Sequence, residues 1–115
     1  MTVLIVDDHR SFRTAARRVL ENAGFDVVGE AADGESALDV IRELRPDIVL
    51  LDVALPGIDG FEVASRLTAN GDAPAIVMTS SRDAADFGPR VKQSGARGFV
   101  PKAELSGPAI CALVA

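Results

Sequence analysis

Leu4-Ile5-Val6-Asp7-Asp8-His9 sets three apolar residues against two adjacent carboxylates, and Leu50-Leu51-Asp52-Val53 ends a second apolar run in one acid. Charges are costly inside a protein unless they are paired or bind a metal. Two of the most hydrophobic segments of a small domain therefore end in groups that need a partner. A divalent cation held by all three carboxylates would be such a partner, if the fold brings them together.

Outward from these runs, short apolar segments alternate with helical patterns. Strands are expected at 2–6, 26–30, 48–51, 75–78 and 98–100, nearly continuous in apolar character as buried parallel strands are. Over 11–21, Phe12, Ala15, Ala16, Val19 and Leu20 recur at helical spacing, and the arginines at 10, 13, 17 and 18 read as a solvated face. A second helix is expected over 34–44, with Pro46 beyond its end. Asp59-Gly60-Phe61-Glu62 has the form of a capping box for a third, running to about 69 and stopped by Asn70-Gly71. A weaker helix over 83–94 contains Gly88-Pro89 and is expected to be the least regular. The last begins near 106 with Pro108 in its first turn. Strand–helix alternation five times over implies a doubly wound α/β fold, a five-stranded parallel sheet with helices on both faces.

The chain has 115 residues, enough for one domain with a real core. A net charge of −5 argues against the domain itself gripping DNA or an anionic membrane, which need a basic surface. Cys111, the single cysteine, has no partner for an internal disulfide and reads as a small apolar packing residue. No signal-peptide pattern opens the chain and no apolar run reaches membrane-spanning length, so a cytoplasmic protein is expected.

Ligands of open parallel sheets bind beyond the carboxyl ends of the strands. Asp7, Asp8, Asp52, Thr79 and Lys102 all fall there, which gathers three acids, a hydroxyl and an ammonium on one rim. Carboxylates that close repel, and at least one is driven toward its neutral form. A hard divalent cation removes that penalty; magnesium suits carboxylates, a carbonyl and water, and shares phosphate oxygens with them. Lys102 offers a compact positive charge to a phosphoryl oxygen and Thr79 a hydroxyl. Phosphoryl transfer, which depends on positioning and charge stabilisation, is the chemistry such a rim fits. With Asp7, Asp8 and a phosphoryl group summing to about −4, a metal and Lys102 return about +3.

The residues "VDDH", "LLDVALPGIDG", "IVMTSS" and "GFVPKAEL", in this order and each after an expected strand, resemble the response-regulator receiver domain of two-component signalling over essentially the whole chain. The resemblance implies a flavodoxin-like fold with strand order 2-1-3-4-5. It implies that Asp52 is the phosphoacceptor, that Asp8 and Asp52 bind magnesium (or manganese) directly with the backbone carbonyl of Ala54, and that Asp7 acts mainly through water. Thr79 and Lys102 would contact the phosphoryl group, and Phe99 would be the switch aromatic, with a readout surface over about 82–113. The donor would be a sensor histidine kinase or a small phosphodonor, and the only catalysis self-phosphorylation and slow autodephosphorylation. The fragments "VLIVDDH", "DVVGEAADG" and "KAEL" are most similar to the branch carrying a C-terminal LuxR/NarL-type helix-turn-helix. Residues 1–115 then read as the receiver alone, with DNA reached only through that further domain, transcription as the output, and homodimer formation on phosphorylation expected. Against the family's pattern, Ala103 follows Lys102 where proline is common, Phe99 lacks a tyrosine hydroxyl, and Ala54 and Ser81 are small.

Plainer readings stand beside these. Asp52 alone would be a loop cap, Asp7 or Asp8 a helix cap, and Lys102 a surface lysine. Ser80 competes with Thr79 for the hydroxyl role, and His9 is a first-turn residue before it is a general base. A haloacid-dehalogenase-like phosphohydrolase also uses an aspartyl nucleophile and magnesium, but it needs an acid two positions beyond, where Ala54 stands. A flavin carrier would need a Ser/Thr-Gly-rich phosphate loop after the first strand. An inactive receiver-like binding module is opposed by the filled chemical positions.

Overall fold

The computed structural model describes the chain except Asn70, Asp72 and Ala115. Five strands, β1 (Thr2–Val6), β2 (Asp26–Ala31), β3 (Ile48–Asp52), β4 (Ala75–Ser80) and β5 (Gly98–Pro101), alternate with α1 (Arg10–Asn22), α2 (Gly34–Leu44), α3 (Gly60–Thr68), α4 (Arg90–Gln93) and α5 (Gly107–Val114). The strands pair in parallel in the order β2-β1-β3-β4-β5. This is the expected flavodoxin-like sheet. Because the order reverses between β1 and β3, their adjacent carboxyl ends open a crevice.

Side chains alternate across a strand, and here both faces are covered. Leu4, Val6, Val49, Leu51, Ile76 and Met78 pack with Ala37, Leu38 and Ile41 of α2 and Val63 and Ala64 of α3. Val3, Ile5, Ile48, Leu50, Val77 and Val100 pack on the other face with Ala16 and Leu20 of α1 and Ile110 of α5. Each fully buried Leu or Ile contributes roughly 1.5–3 kcal/mol relative to exposure. The apolar runs before Asp7 and Asp52 are thus fixed from two sides.

Local chemistry sets the helix ends. The Asp33 carboxylate accepts from Ser36 N–H at the start of α2 (2.7 Å), and Asp59 from Glu62 N–H at the start of α3 (2.9 Å). Only half of the expected capping box forms, because the Glu62 carboxylate accepts from Arg66 instead (3.0 Å). α3 ends at Thr68, and the Asn70 half of its expected stop lies outside the described residues.

Four expectations are corrected. β3 and β4 extend to Asp52 and Ser80, since Asp52 stands opposite Thr79 in register. The helix expected over 83–94 is a 3₁₀ turn (Ala84–Phe87), then Gly88 at φ +57°, then the four-residue α4; Pro89 lacks the N–H a continuous helix would need. Cys111 is exposed, because Ile110 takes the core-facing position of α5. Arg13 and Arg17 are not a solvated face: both bind Glu30 of β2, at 3.0 and 2.9 Å.

Candidate functional site

β1 carries Asp7 fully into the interior, and its N–H donates to Ala31 O (3.0 Å), which closes the β1–β2 ladder. Its Oδ1 accepts from His9 N–H (2.8 Å), and its backbone carbonyl accepts from Arg13 Nη1 (2.7 Å). Asp8, next in the chain, is exposed at the rim. Asp52 ends β3 and is buried, with Oδ1 accepting from Ala54 N–H (3.2 Å).

Gly60 explains how the backbone turns beneath Asp52. Its N–H donates to Val53 O (2.8 Å), and a Cβ there would stand 2.3 Å from Asp52 O. Only glycine lets the start of α3 approach the acid this closely.

Lys102 opens a 3₁₀ turn (Lys102–Glu104) directly after β5. Its ammonium is 2.6 Å from Asp7 Oδ2 and 3.3 Å from Asp52 Oδ2. The Asp7 contact is an ion pair rather than an aligned hydrogen bond, since Asp7 Oδ2 has no hydrogen-bond partner of good geometry. Thr79 Oγ1 is buried with no hydrogen-bond partner among the described residues. The competing Ser80 hydroxyl already accepts from Arg82 N–H (3.1 Å). Phe99 is half-buried and packs against Phe87, ring centroids 5.7 Å apart.

One ammonium does not balance this rim. Burial, and then the charge of Asp7, push the Asp52 carboxyl up to about 6, only partly offset by Lys102 and the Ala54 N–H. Burial pulls the Lys102 ammonium down, but Asp7 and Asp52 outweigh it and hold the group above its ordinary value. A ligand atom from each of Asp7, Asp8, His9 and Asp52 can be chosen so that all lie within 4.8 Å of one another. Carboxylate oxygens in this number fit a hard divalent cation, which would relieve the repulsion that raises Asp52. The unpartnered Thr79 hydroxyl fits an incoming anion, because an unmet buried polar group is costly.

Asp7, Asp8, Asp52 and Lys102 thus converge as expected, with Ala54 beside Asp52. His9, read first as a first-turn residue and less readily as a general base, has its Nδ1 3.1 Å from Asp8 Oδ1 and 3.3 Å from Asp7 Oδ1. Arg13 and Phe12 reach the rim as well. Nothing at helical spacing separates Phe12 from the rest of the apolar α1 stripe, or Arg13 from the other arginines of the helix.

The family model for the response regulator receiver domain matches residues 3–113. A protein of Pseudomonas aeruginosa named as a transcriptional regulator is 45% identical over 102 residues, 89% of this chain and 49% of that protein. The virulence-factor transcription regulator BvgA of Bordetella pertussis is 40% identical over 102 residues, again 89% of this chain and 49% of that one. The response regulator GacA of P. aeruginosa is 41% identical over 101 residues, 87% of this chain and 47% of that one. The chain therefore spans about half the length of these relatives. Among solved structures, a LuxR-family two-component response regulator from Aurantimonas superposes with a TM-score of 0.89 at 35% identity, covering 98% of this chain and 84% of that one. The signal receiver domain of the response regulator NarL from Mycobacterium tuberculosis gives 0.87 at 33% identity, covering 97% and 94%.

Proposed function

The chain belongs to the response regulator receiver domains, phosphorylation-controlled signalling switches, and on that premise we propose that Asp52 is its phosphoacceptor. The observation that carries this reading is the setting of Asp52. It is a buried carboxylate pushed up to about 6, with the charge of Asp7 close by, the Lys102 ammonium at 3.3 Å bridging to Asp7, and a hydroxyl without a partner among the described residues at the facing strand position.

A carboxylate oxygen of Asp52 attacks phosphorus, the donor's leaving group departs with the bond electrons, and an acyl phosphate remains. Asp8, Asp52 and the Ala54 carbonyl would hold magnesium or manganese directly, with Asp7 acting mainly through water, and the ion would supply positive charge to the phosphoryl oxygens. Lys102 shifts from Asp52 to a phosphoryl oxygen, and the Thr79 hydroxyl donates to another. Moving Thr79 inward frees space that the Phe99 ring enters, which biases a two-state equilibrium read out over residues 82–113.

Receiver domains of response regulators interact with histidine kinases, and the proposed donor is a sensor histidine kinase, or a small phosphodonor, acting on this chain in the cytoplasm. The output proposed is transcription, because the relatives are named as its regulators. DNA would be contacted through a separate C-terminal module and not by this acidic chain, and phosphorylation would favour a homodimer. No helix among the described residues is long and apolar enough to cross a membrane.

Acetyl phosphate with magnesium should add one phosphoryl group to the wild-type chain, located at Asp52 by mass spectrometry, and none to Asp52→Asn. A label that survives in Asp52→Asn overturns the assignment.

A further inference from the structure

Phe12 lies in the first turn of α1, half-buried against the core that holds Ala16 and Leu20. The Lys102 ammonium sits over the face of its ring, 4.5 Å from the centroid. The same ammonium makes the contacts to Asp7 and Asp52 given above, and its side chain is only 17% exposed. We propose that Phe12 is a positioning residue for phosphoryl transfer, its ring face steering the Lys102 ammonium over Asp52 without occupying the ammonium's N–H donors. The inference rests on the reading of Asp52 as acceptor and Lys102 as the charge that meets the phosphoryl group.

The negative face of an aromatic ring attracts a cation, and more strongly where water is excluded. A leucine of similar bulk would desolvate the ammonium and return no attraction. A carboxylate or amide in its place would bind the ammonium through a directed hydrogen bond and compete with the phosphoryl oxygen for it. The ring avoids both faults. It holds the charge without a directed bond, so Nζ can pivot from Asp52 Oδ2 toward an incoming oxygen. The geometry of the two elements fits this division. Phe12 is fixed on a thirteen-residue helix anchored in the core, whereas Lys102 reaches the ring on a long stem from a three-residue turn.

The test combines proton NMR of the whole chain with initial rates of Asp52 labelling by acetyl phosphate and magnesium. The chain has two lysines, and exposed Lys92 serves as the internal reference. In the wild type the Lys102 ε-methylene protons should be shifted upfield of those of Lys92 by the ring current. Phe12→Leu should move them onto the Lys92 position and slow labelling by roughly 3- to 10-fold, the range for a partly desolvated cation–π contact. Phe12→Tyr, which keeps the ring, should retain both properties. In a Lys102→Ala background Phe12→Leu should slow the residual labelling no further, because the partner of the ring is gone.

Coincident Lys102 and Lys92 signals in the wild type overturn the proposal, and they do so whether or not any variant folds. So does a Phe12→Leu rate equal to wild type, or a Phe12→Leu loss that persists undiminished without Lys102, the mark of a merely structural role. Failure of the wild type to label at Asp52 would instead refute the acceptor assignment, leaving the ring contact to be judged by the spectrum.

Discussion

From β1 to the start of α3, the acids of the rim stand on or beside buried strand ends, and the helices are thirteen, eleven and nine residues long. From the end of β4 to the start of α5, the chain makes a four-residue 3₁₀ turn, a four-residue helix with no buried residue and a three-residue turn. The first region has Leu4, Ile5, Val6, Leu50 and Leu51 at or below 1% exposure. The second is held by the partly buried Phe87, Val91, Ala96 and Phe99. Phosphoryl transfer needs groups fixed to a fraction of an ångström, and a reporting segment needs a low cost of rearrangement. One sheet supplies both, since β1, β3 and β4 carry its large fully buried residues and β5 buries only Val100.

Two glycines put the contrast at risk most directly. Gly60→Ala would drive a Cβ against the Asp52 carbonyl and Val53 Cα, which are backbone atoms that cannot step aside. We expect a loss of about 3 kcal/mol, the upper part of the range for overpacking. Gly88→Ala instead forces alanine to a positive φ of +57°, but its Cβ meets nothing within 4 Å. The short turns around it can relax, so the loss should stay near 1 kcal/mol. Urea midpoints of the two variants measure the difference, and equal losses would mean that the two regions are equally rigid.

Stability against pH tests the rim itself. Asp52 titrates at about 6 in the fold and near 3.8 when unfolded. Below the lower value both states are protonated. Between the two values the folded state holds a proton that the unfolded state has released, so stability falls as pH rises through this window. The shift corresponds to a loss on the order of 3 kcal/mol across the window. Asp52→Asn should remove the slope and be more stable than the wild type at pH 7. Glu30 behaves oppositely. Burial works to raise its pKa, but Arg17 and Arg13 overcome it and hold the group below its ordinary value. Its contribution is present above pH 4.5 and fades as pH falls through its lowered folded value, so Glu30→Gln should matter at neutral pH and not in acid. Urea titrations of the two variants from neutral pH down to well below the ordinary glutamate pKa separate the two slopes, and parallel curves would contradict them.

What could be read from the sequence, and what could not, follows the range of the interactions. Runs such as Leu4-Ile5-Val6, and the Asp59 cap, are local, so spacing and residue type announce them. The last residues of β3 and β4 are not local, because Asp52 is held in the ladder by Thr79 on another strand. The ion pairs of Arg13 and Arg17 with Glu30 span 17 and 13 positions, and no periodicity distinguishes them from a charged helix face in water. Phe12 reads as one more apolar residue of the α1 stripe until the fold brings Lys102 over its ring. Gly88-Pro89 marked 83–94 as irregular, but pattern alone did not give the break into two separate turns.

The smallest expected effect bears on whether the two regions act as separate units. The Phe87 ring lies 5.7 Å from both Phe61 and Phe99, so it ties the irregular segment to α3 and β5. Phe87→Leu keeps most of the apolar burial and removes two ring–ring contacts, for a loss of about 1 kcal/mol. Amides of 84–93 should already exchange with solvent faster than those of β1 and β3, through openings that leave the sheet intact. The variant should speed them by roughly a further 5-fold, the factor that corresponds to such a loss. Phe87 touches none of the rim acids, so Asp52 should be labelled by acetyl phosphate at the wild-type rate. If labelling slows in step with exchange, the rim depends on the irregular segment for its geometry. The division between firmly fixed rim acids and a loosely held reporting segment would then have to be abandoned.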